Sequence, residues 1–487
     1  MRLVRLLTIA LTIPCGVRAQ NLADDPRVSQ SLRLMRVWLE AQRAYAHIPG
    51  VSAALVANQQ ILWSGGFGYA DLDRHVPASA STIYSICSIS KLFTSVAVMQ
   101  LRDAGTLRLD DAVTRHLPWF NIKRTFPERE EITVEGLLTH ASGLPRESDW
   151  PYWTGPDFPF PTHEQIVATV GRQETLYPAG QYFQYSNLGL TLAGEIVAAK
   201  SGMPYGDYAR KYILQPLGLS STTPEMPESE RGKRLALGYS AFGRSATRTP
   251  LAFFQARGVA PAAGYASTVD DLARFASWQF RLLGTNGREV LAANTLREMQ
   301  RTHFMDPNWT TTYGLGFAVW RSGEKTFVGH GGSCPGYQTY LLLRPEENIA
   351  AVSMTNAVDA NARILAQRMY DIVAPAILAA TKDSTSKAKR NDPALDAYSG
   401  TYAGVWGGEI AVLPWDGALA SLGLPNDDPM RGLTKWRKSA EHTFRRVRAD
   451  GELGETMRFE MGADGSAMAY WAFNNRYARS AAAPRVP

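Results

Sequence analysis

Ser88-Ile89-Ser90-Lys91 places a hydroxyl and an amine three residues apart. If a helix starts there, both side chains lie on one face, one turn apart. A serine hydroxyl attacks a carbonyl only when something takes its proton, and a desolvated lysine can do so at neutral pH. The partial positive charge of a helix N-terminus favours the negative charge that develops. The spacing alone is common, since Ser322/Lys325, Ser384/Lys387 and Ser386/Lys389 repeat it in the same chain. Ser88 differs in its setting, at the opening of an apolar run that reaches Leu101, whereas the last two pairs fall in a hydrophilic stretch. Taken alone, Ser88 reads as readily as a helix cap beside a surface lysine.

Two further elements bear on the same chemistry. Tyr185-Ser186-Asn187 follows the turn-like Pro178-Ala179-Gly180 and precedes an apolar run from Leu188. In an extended segment Tyr185 and Asn187 point the same way. A phenol beside an amine can relay a proton, and an amide can fix a lysine or a substrate amide. His330-Gly331-Gly332 stands at the end of an expected strand, where two glycines let substrate pass close to the backbone and expose an N–H to an oxyanion. Singly these are commonplace, because a tyrosine in a turn is usually core and Gly-Gly is usually a bend. Their order and separations carry more than any one of them.

Other hydrolytic designs lack their parts. There is no Gly-x-Ser-x-Gly elbow for a doubly wound Ser-His-Asp hydrolase. The eight histidines contain no His-Glu-x-x-His, so a zinc peptidase and a metal cofactor are not expected. His140, within Leu138-Thr139-His140-Ala141-Ser142-Gly143, invites a role as base.

The elements that must position these groups follow from apolar periodicity. Ser29 to Tyr45 alternates apolar and charged residues as an amphipathic helix does. Val51–Val56 and Ile61–Ser64 predict a strand pair joined at Asn58-Gln59-Gln60. Ser90–Leu101, Leu188–Ala199 and Asp270–Leu283 predict buried helices, the last capped by Ser267 or Thr268. Gly314–Trp320, Gln338–Leu343 and Ile349–Thr355 predict consecutive strands. The pattern is that of an α/β or α+β domain whose sheet is completed by both ends of its chain segment. After a helix ending near Ala380, the polar, basic run Thr381–Arg390 reads as a linker. Beyond it Tyr398–Tyr470 shows short apolar stretches without helical period, as in a small antiparallel, barrel-like β domain.

The 487 residues, 45% hydrophobic and 20% charged, suffice for one large domain and one small one. Arg2 and Arg5 precede the apolar run Leu6–Ile13, and Val17-Arg18-Ala19 suits a signal peptidase cutting between Ala19 and Gln20. Pro14 before Cys15 argues against lipidation. The expected divisions are a leader at 1–19, a hydrolase domain at 20–380, a linker at 381–394 and a small all-β domain at 395–480. Without the leader the net charge falls from +6 to +3, with no basic stripe, so no nucleic-acid partner is expected. No later run is long enough for a stable membrane span. The expected location is periplasmic or secreted. Cys87 and Cys334, each beside a motif, are expected as two separate buried thiols, with a disulfide as the alternative.

Together these motifs resemble the serine β-lactamase and penicillin-binding superfamily, specifically its class C-like branch of esterases, D-aminopeptidases and D-alanyl-D-alanine carboxypeptidases. Gly105–Asp111, Leu138-Thr139-His140-Ala141-Ser142-Gly143, Leu217-Gly218-Leu219 and Pro261–Phe275 also resemble that branch, so the likeness runs from about Ile48 to Ala380. It implies an antiparallel sheet flanked by helices, a helical subdomain and a following β-barrel-like domain. It implies a metal-free acyl-serine enzyme in which Ser88 attacks, Lys91 and Tyr185 form a coupled base, and Asn187 positions Lys91 and the substrate. The backbone N–H groups of Ser88 and Ser333 would then form the oxyanion hole, and Tyr185 would activate water for deacylation. Since that family supplies a lysine and a tyrosine for proton transfer, the resemblance implies that His140 is structural. Strict β-lactamases have Lys-Thr-Gly or a close variant where this chain has His330-Gly331-Gly332, which makes strong recognition of a penicillin carboxylate doubtful. The expected activity is hydrolysis of an ester or a small peptide or amide. The alternatives are a penicillin-binding-like sensor or wall-binding protein with vestigial hydrolysis, and a weak β-lactamase. Trp119, Trp150, Trp153 and Phe158 are expected to line an apolar acyl pocket. Ala397–Tyr402 resembles the opening of a domain that in relatives covers the cleft or pairs subunits, so a homo-oligomer is one arrangement the resemblance allows.

Overall fold

The computed structural model describes residues 21–128, 131–383 and 391–480. The expected leader, the Ser384/Lys387 and Ser386/Lys389 pairs and half of the expected linker lie outside the described residues.

A nine-stranded antiparallel sheet forms the frame of the first domain. Gly50–Ala57 and Gln60–Asp71 form the expected hairpin, and Gly50–Ala57 pairs on its other side with Ile349–Thr355. The order continues through Tyr337–Arg344, Lys325–Cys334 and Ala318–Ser322 to two short edge strands. Both ends of the segment thus meet mid-sheet, as the sequence pattern implies. Gly314–Phe317, expected as strand, is instead a bend between Thr312–Tyr313 and Ala318–Ser322. Gly316 has φ +83° there, and a Cβ on it would lie 2.0 Å from Ser95 Oγ, so a helix packs where a side chain would stand.

Alternation along the strands supplies two cores. Ala54, Val56, Leu341, Leu343, Ala350 and Val352 face helices Ser90–Asp103, Asn187–Ser201 and Val269–Thr285. Their neighbours Ala53, Leu55, Tyr340, Leu342, Ile349 and Ala351 face helices Pro26–Tyr45 and Ala362–Lys382. A strand buried on both faces reads as a continuous apolar run, which is why these strands stand out in the sequence. Thr268 caps Val269–Thr285 by accepting from Asp271 N, as expected.

The C-terminal residues form a closed eight-stranded antiparallel barrel, its strands adjacent in chain order from Gly400–Ala403 to Asn475–Arg479. Its inward side chains, Val412, Leu419, Trp436, Phe444 and Tyr470 among them, make a third core. The outward faces of Glu409–Trp415 and Ala418–Leu424 pack on the first and last helices of the large domain. Trp38 Nε1 and Gln42 Nε2 both donate to Asn426 O, at 2.7 and 2.8 Å. The barrel therefore sits behind the sheet, on the opposite side from Ser88.

Candidate active site

Ser88 stands in a 3-10 turn, Cys87–Ile89, that runs directly into the helix Ser90–Asp103. Across 82–99 every residue is buried except Ser88, which is half-buried. The turn thus presents one hydroxyl to solvent and hides what lies behind it. Cys87 before it has φ +48°, in the left-handed region that a non-glycine residue occupies at a cost of about 1–3 kcal/mol.

Lys91 is fully buried one turn on. Its Nζ lies 3.1 Å from Ser88 Oγ, 2.8 Å from Asn187 Oδ1 and 2.8 Å from the carbonyl oxygen of Ala262. Burial drives its pKa well below the ordinary lysine range; Glu147 pulls it up and Arg146 pushes it further down. Two of the three partners can only accept. When the amine is deprotonated, its two hydrogens go to Asn187 and Ala262 and its lone pair is left for the Ser88 hydroxyl. That is the arrangement a general base needs.

Asn187 opens the helix Asn187–Ser201, and Ser186 caps it by accepting from Gly189 N. The preceding Tyr185 shares a hydrogen bond with Ser88, and its ring centroid lies 4.8 Å from Lys91 Nζ. Burial pushes its phenol above the ordinary range, while the Ser88 bond and Arg146 pull it back. The phenol is therefore protonated at neutral pH and suited to passing a proton rather than taking one unaided.

His330 lies within the Lys325–Cys334 strand rather than at its end. It is buried and its pKa is pushed down to about 3, by burial first and then by Lys91. Nδ1 lies 2.6 Å from Gly331 O and Nε2 lies 2.6 Å from Tyr313 OH. A carbonyl oxygen only accepts, so the hydrogen is on Nδ1 and Nε2 accepts from Tyr313. His330 is thus neutral and fully engaged within the protein.

The glycines after it serve packing more than passage. A Cβ on Gly332 would fall 2.2 Å from Ile86 O and 2.3 Å from Thr339 Oγ1. A side chain there would push the strand off the turn that carries Ser88. On one edge the strand pairs with Ala318–Ser322 only as far as Gly329. From His330 onward that edge faces the Ser88 turn. Ser333 is exposed and pairs across the other edge with Gln338, whose Nε2 donates to Ser333 Oγ at 2.8 Å. The Ser88 N–H stands in the first turn of its helical segment, where no intrahelical acceptor exists.

These groups meet at a cleft of about 370 Å³ lined by Ser88, Tyr185 and residues 330–333, together with Arg146, Asn361 and Arg363. The cleft thus brings together Ser88, Tyr185, His330, Gly331, Gly332 and Ser333, with Lys91 and Asn187 directly beneath. Trp119, Trp150, Trp153 and Phe158 do not line it. They pack into the large core, with Trp153 against Phe160 and Phe158 against Phe254. Bulky aromatic rings at these positions are used to fill volume. His140 is structural in its contacts, fully buried with Nδ1 accepting from Ser186 N at 3.1 Å, and its ring lies 4.2 Å from that of Tyr185. The Ser322/Lys325 pair flanks a hairpin turn, where Lys325 Nζ donates to Tyr370 OH.

Several functional neighbours carry no sequence signal of their own. Glu147 accepts from both Asn187 Nδ2, at 2.9 and 3.0 Å, and Tyr152 OH, which fixes the Asn187 amide with its oxygen toward Lys91. Arg146 lies 4.9 Å above the Tyr185 ring. The nearby Leu138–Gly143 stretch is the one hint to either. Cys87 and Cys334, expected as separate thiols, form a disulfide with Cα atoms 5.8 Å apart. The packing of the Ser88 turn on the strand brings them together across 247 residues. Among the described residues no helix is long and apolar enough to cross a membrane, and no three His, Cys, Asp or Glu side chains gather as a metal site.

Residues 36–374 match the family described as Beta-lactamase. Protein flp of Staphylococcus aureus (strain MW2) is 28% identical over 313 residues, 64% of this chain and 60% of that protein, so the chain spans about three fifths of the length of that relative. In fold, the chain is similar to an octameric penicillin-binding protein homologue from Pyrococcus abyssi, with TM-score 0.62 and 24% identity over 92% of this chain and 99% of that one. A class C beta lactamase from Rhodobacter sphaeroides superposes with TM-score 0.58 and 21% identity, over 70% of this chain and 99% of its own.

Proposed function

The chain belongs to the Beta-lactamase family, and on that premise we propose that it is a serine hydrolase that forms an acyl-enzyme on Ser88 and cleaves an ester or a small peptide or amide. The observation that carries this reading is the fully buried Lys91 amine 3.1 Å from Ser88 Oγ, with burial driving its pKa well below the ordinary lysine range. Ser88 Oγ attacks the carbonyl carbon while its proton passes to Lys91 Nζ. The carbonyl oxygen becomes an oxyanion and accepts from the N–H groups of Ser88 and Ser333. Collapse breaks the bond to the leaving group, which takes the proton through Tyr185. Water then attacks the acyl carbon, losing its proton to the same Lys91–Tyr185 pair, and Ser88 is released. Lys91 and Tyr185 share one proton inventory and titrate as a coupled system.

The departure at His330 supports esters and amides over penicillins, because a neutral imidazole bonded at both nitrogens offers no charge to a carboxylate. The Cys87–Cys334 disulfide, with the Arg2–Ala19 leader pattern, supports export to an oxidising compartment, the periplasm or beyond. The test is intact-protein mass after incubation with a fluorophosphonate, a penicillin and a p-nitrophenyl ester, with Ser88→Ala alongside and ester turnover followed in the same tubes. A Ser88-dependent adduct with steady ester turnover is expected. Folded protein that takes no adduct from any probe would refute the reading, and a rapid burst followed by no turnover would replace it with a sensor or wall-binding protein.

A further inference from the structure

Both backbone donors assigned above to the oxyanion hole are chain neighbours of the same disulfide. Cys87 immediately precedes Ser88, and Cys334 immediately follows Ser333. We propose that the Cys87–Cys334 disulfide is a positioning device of the catalytic site, holding the Ser88 and Ser333 N–H groups at the separation that an oxyanion requires. The inference rests on the acyl-serine reading.

The two donors come from different elements with different restraints. On the Ser88 side the turn is held many times over. Ile86 N donates to Tyr265 O at 2.8 Å, and Ile86 O accepts from Thr339 Oγ1 at 3.2 Å. Ser90 Oγ bonds Cys87 O and accepts from Tyr265 N. On the Ser333 side the restraints run to the neighbouring strand rather than to the Ser88 turn. Past Gly329 the strand pairs only with Tyr337–Arg344. Ser333 and Cys334 are its last residues before the Pro335-Gly336 turn, where Gly336 has φ +87°. Gln338 Nε2 donates to Ser333 Oγ and Tyr337 OH to Ala236 O, but neither bond reaches the Ser88 turn, so nothing in them sets the Ser333 N–H relative to the Ser88 N–H. The disulfide ties that end to the well-held turn. Both cysteines are buried, and Ser85 Oγ lies 3.4 Å from Cys334 Sγ, so the bond is enclosed by packing on the turn side.

The bond is not needed to bring the elements together, because Gly332 already lies against Ile86 O and Thr339 already bonds it. Its removal is therefore expected to leave the fold and loosen the donor. A purely structural staple would change melting temperature and nothing else. A positioning device changes the stabilisation of tetrahedral species, while substrate binding and the ionisation of Lys91 stay as they are.

The experiment is Cys334→Ser, assayed well below its melting temperature with a p-nitrophenyl ester and with phenylboronic acid, whose serine adduct is tetrahedral. The expected result is a fall in kcat of about tenfold or more, less than the full loss of one oxyanion donor. KM and the midpoint of the pH profile are expected to stay unchanged, and the boronate Ki to rise by the same factor as kcat falls. Unchanged kcat and Ki in folded Cys334→Ser would overturn the inference. If the variant does not fold, wild-type protein is reduced with a phosphine until two thiols appear by mass. Activity is then expected to fall and to return on reoxidation, and fully active reduced protein would overturn the inference. Ser88→Ala runs in the same series. Wild-type turnover that survives Ser88→Ala defeats the acyl-serine reading and this inference together, whereas Ser88-dependent turnover indifferent to the disulfide defeats this inference alone.

Discussion

Replacing Glu147 with Gln is expected to move the acid limb of kcat/KM to lower pH. Glu147 reaches Lys91 through one amide, with 2.8 Å from Nζ to Asn187 Oδ1 and 2.9 Å from Asn187 Nδ2 to the carboxylate. With the span of the amide itself, the charges lie about 8 Å apart at most. At an effective dielectric of about 20 the attraction is about 2 kcal/mol, or ~1.5 pH units. The Glu147 side chain is 24% exposed, and solvent screening trims this to about one unit. The sign follows from which form reacts. Burial already depresses the Lys91 pKa and Glu147 opposes that shift. Removing the carboxylate therefore lowers the pKa again, so the neutral amine persists to more acid pH and activity survives there. Gln keeps an oxygen that accepts from Asn187 Nδ2, so the geometry under Lys91 is retained. The assay is kcat/KM for a p-nitrophenyl ester between pH 4 and 9, which reports the free enzyme, with the fluorophosphonate labelling rate as a second readout. If Lys91 instead acted as an ammonium assisting a Tyr185 phenolate, the same change would pull the alkaline limb downward. An acid limb that stays put or moves up would refute Lys91 as the base.

The other expectations are independent of that titration. Gly332→Ala forces a methyl against Ile86 O and Thr339 Oγ1; it should cost about 1–3 kcal/mol of stability by overpacking and remove most ester turnover. Native stability with full activity would show that the strand can move. His330, pushed down to about 3, should remain the neutral Nδ1–H tautomer from pH 8 to pH 5. Nitrogen-15 chemical shifts of the ring check this, and an imidazolium signal at pH 5 would contradict the hydrogen-bond assignment. Trp38→Ala deletes a 1% exposed ring and its bond to Asn426 O, a loss of about 3–5 kcal/mol for a buried tryptophan. A protease should then release a fragment carrying the barrel while Ser88 labelling persists, because the barrel packs behind the sheet. Loss of labelling in the folded variant would place the barrel in the catalytic machinery.

What the sequence determined is what short range decides. Apolar runs and a capping threonine predict Ser90–Asp103, Asn187–Ser201 and Val269–Thr285 to within two residues, since helix formation depends on neighbours one turn away. The Ser88–Lys91 spacing is itself a local fact of helix geometry. The fully buried strands are legible for the same reason, and Gly314–Phe317 is misread because glycine-mediated close approach to Ser95 belongs to a distant segment. Tertiary structure alone decided the chemistry of those residues. The Lys91 pKa is driven down because the fold buries the amine completely, beside Asn187 and Ala262 from 96 and 171 residues away. His330 is neutral because the fold buries it, and Tyr313 and the Gly331 carbonyl occupy both ring nitrogens. Glu147 earns its place only once the fold brings it to Asn187. Trp153 and Phe158 turn out to be core, and Cys87 and Cys334 meet only because a turn packs on a strand. Ionisation and pairing depend on dielectric and on partners in space, and neither quantity is carried by residue order alone.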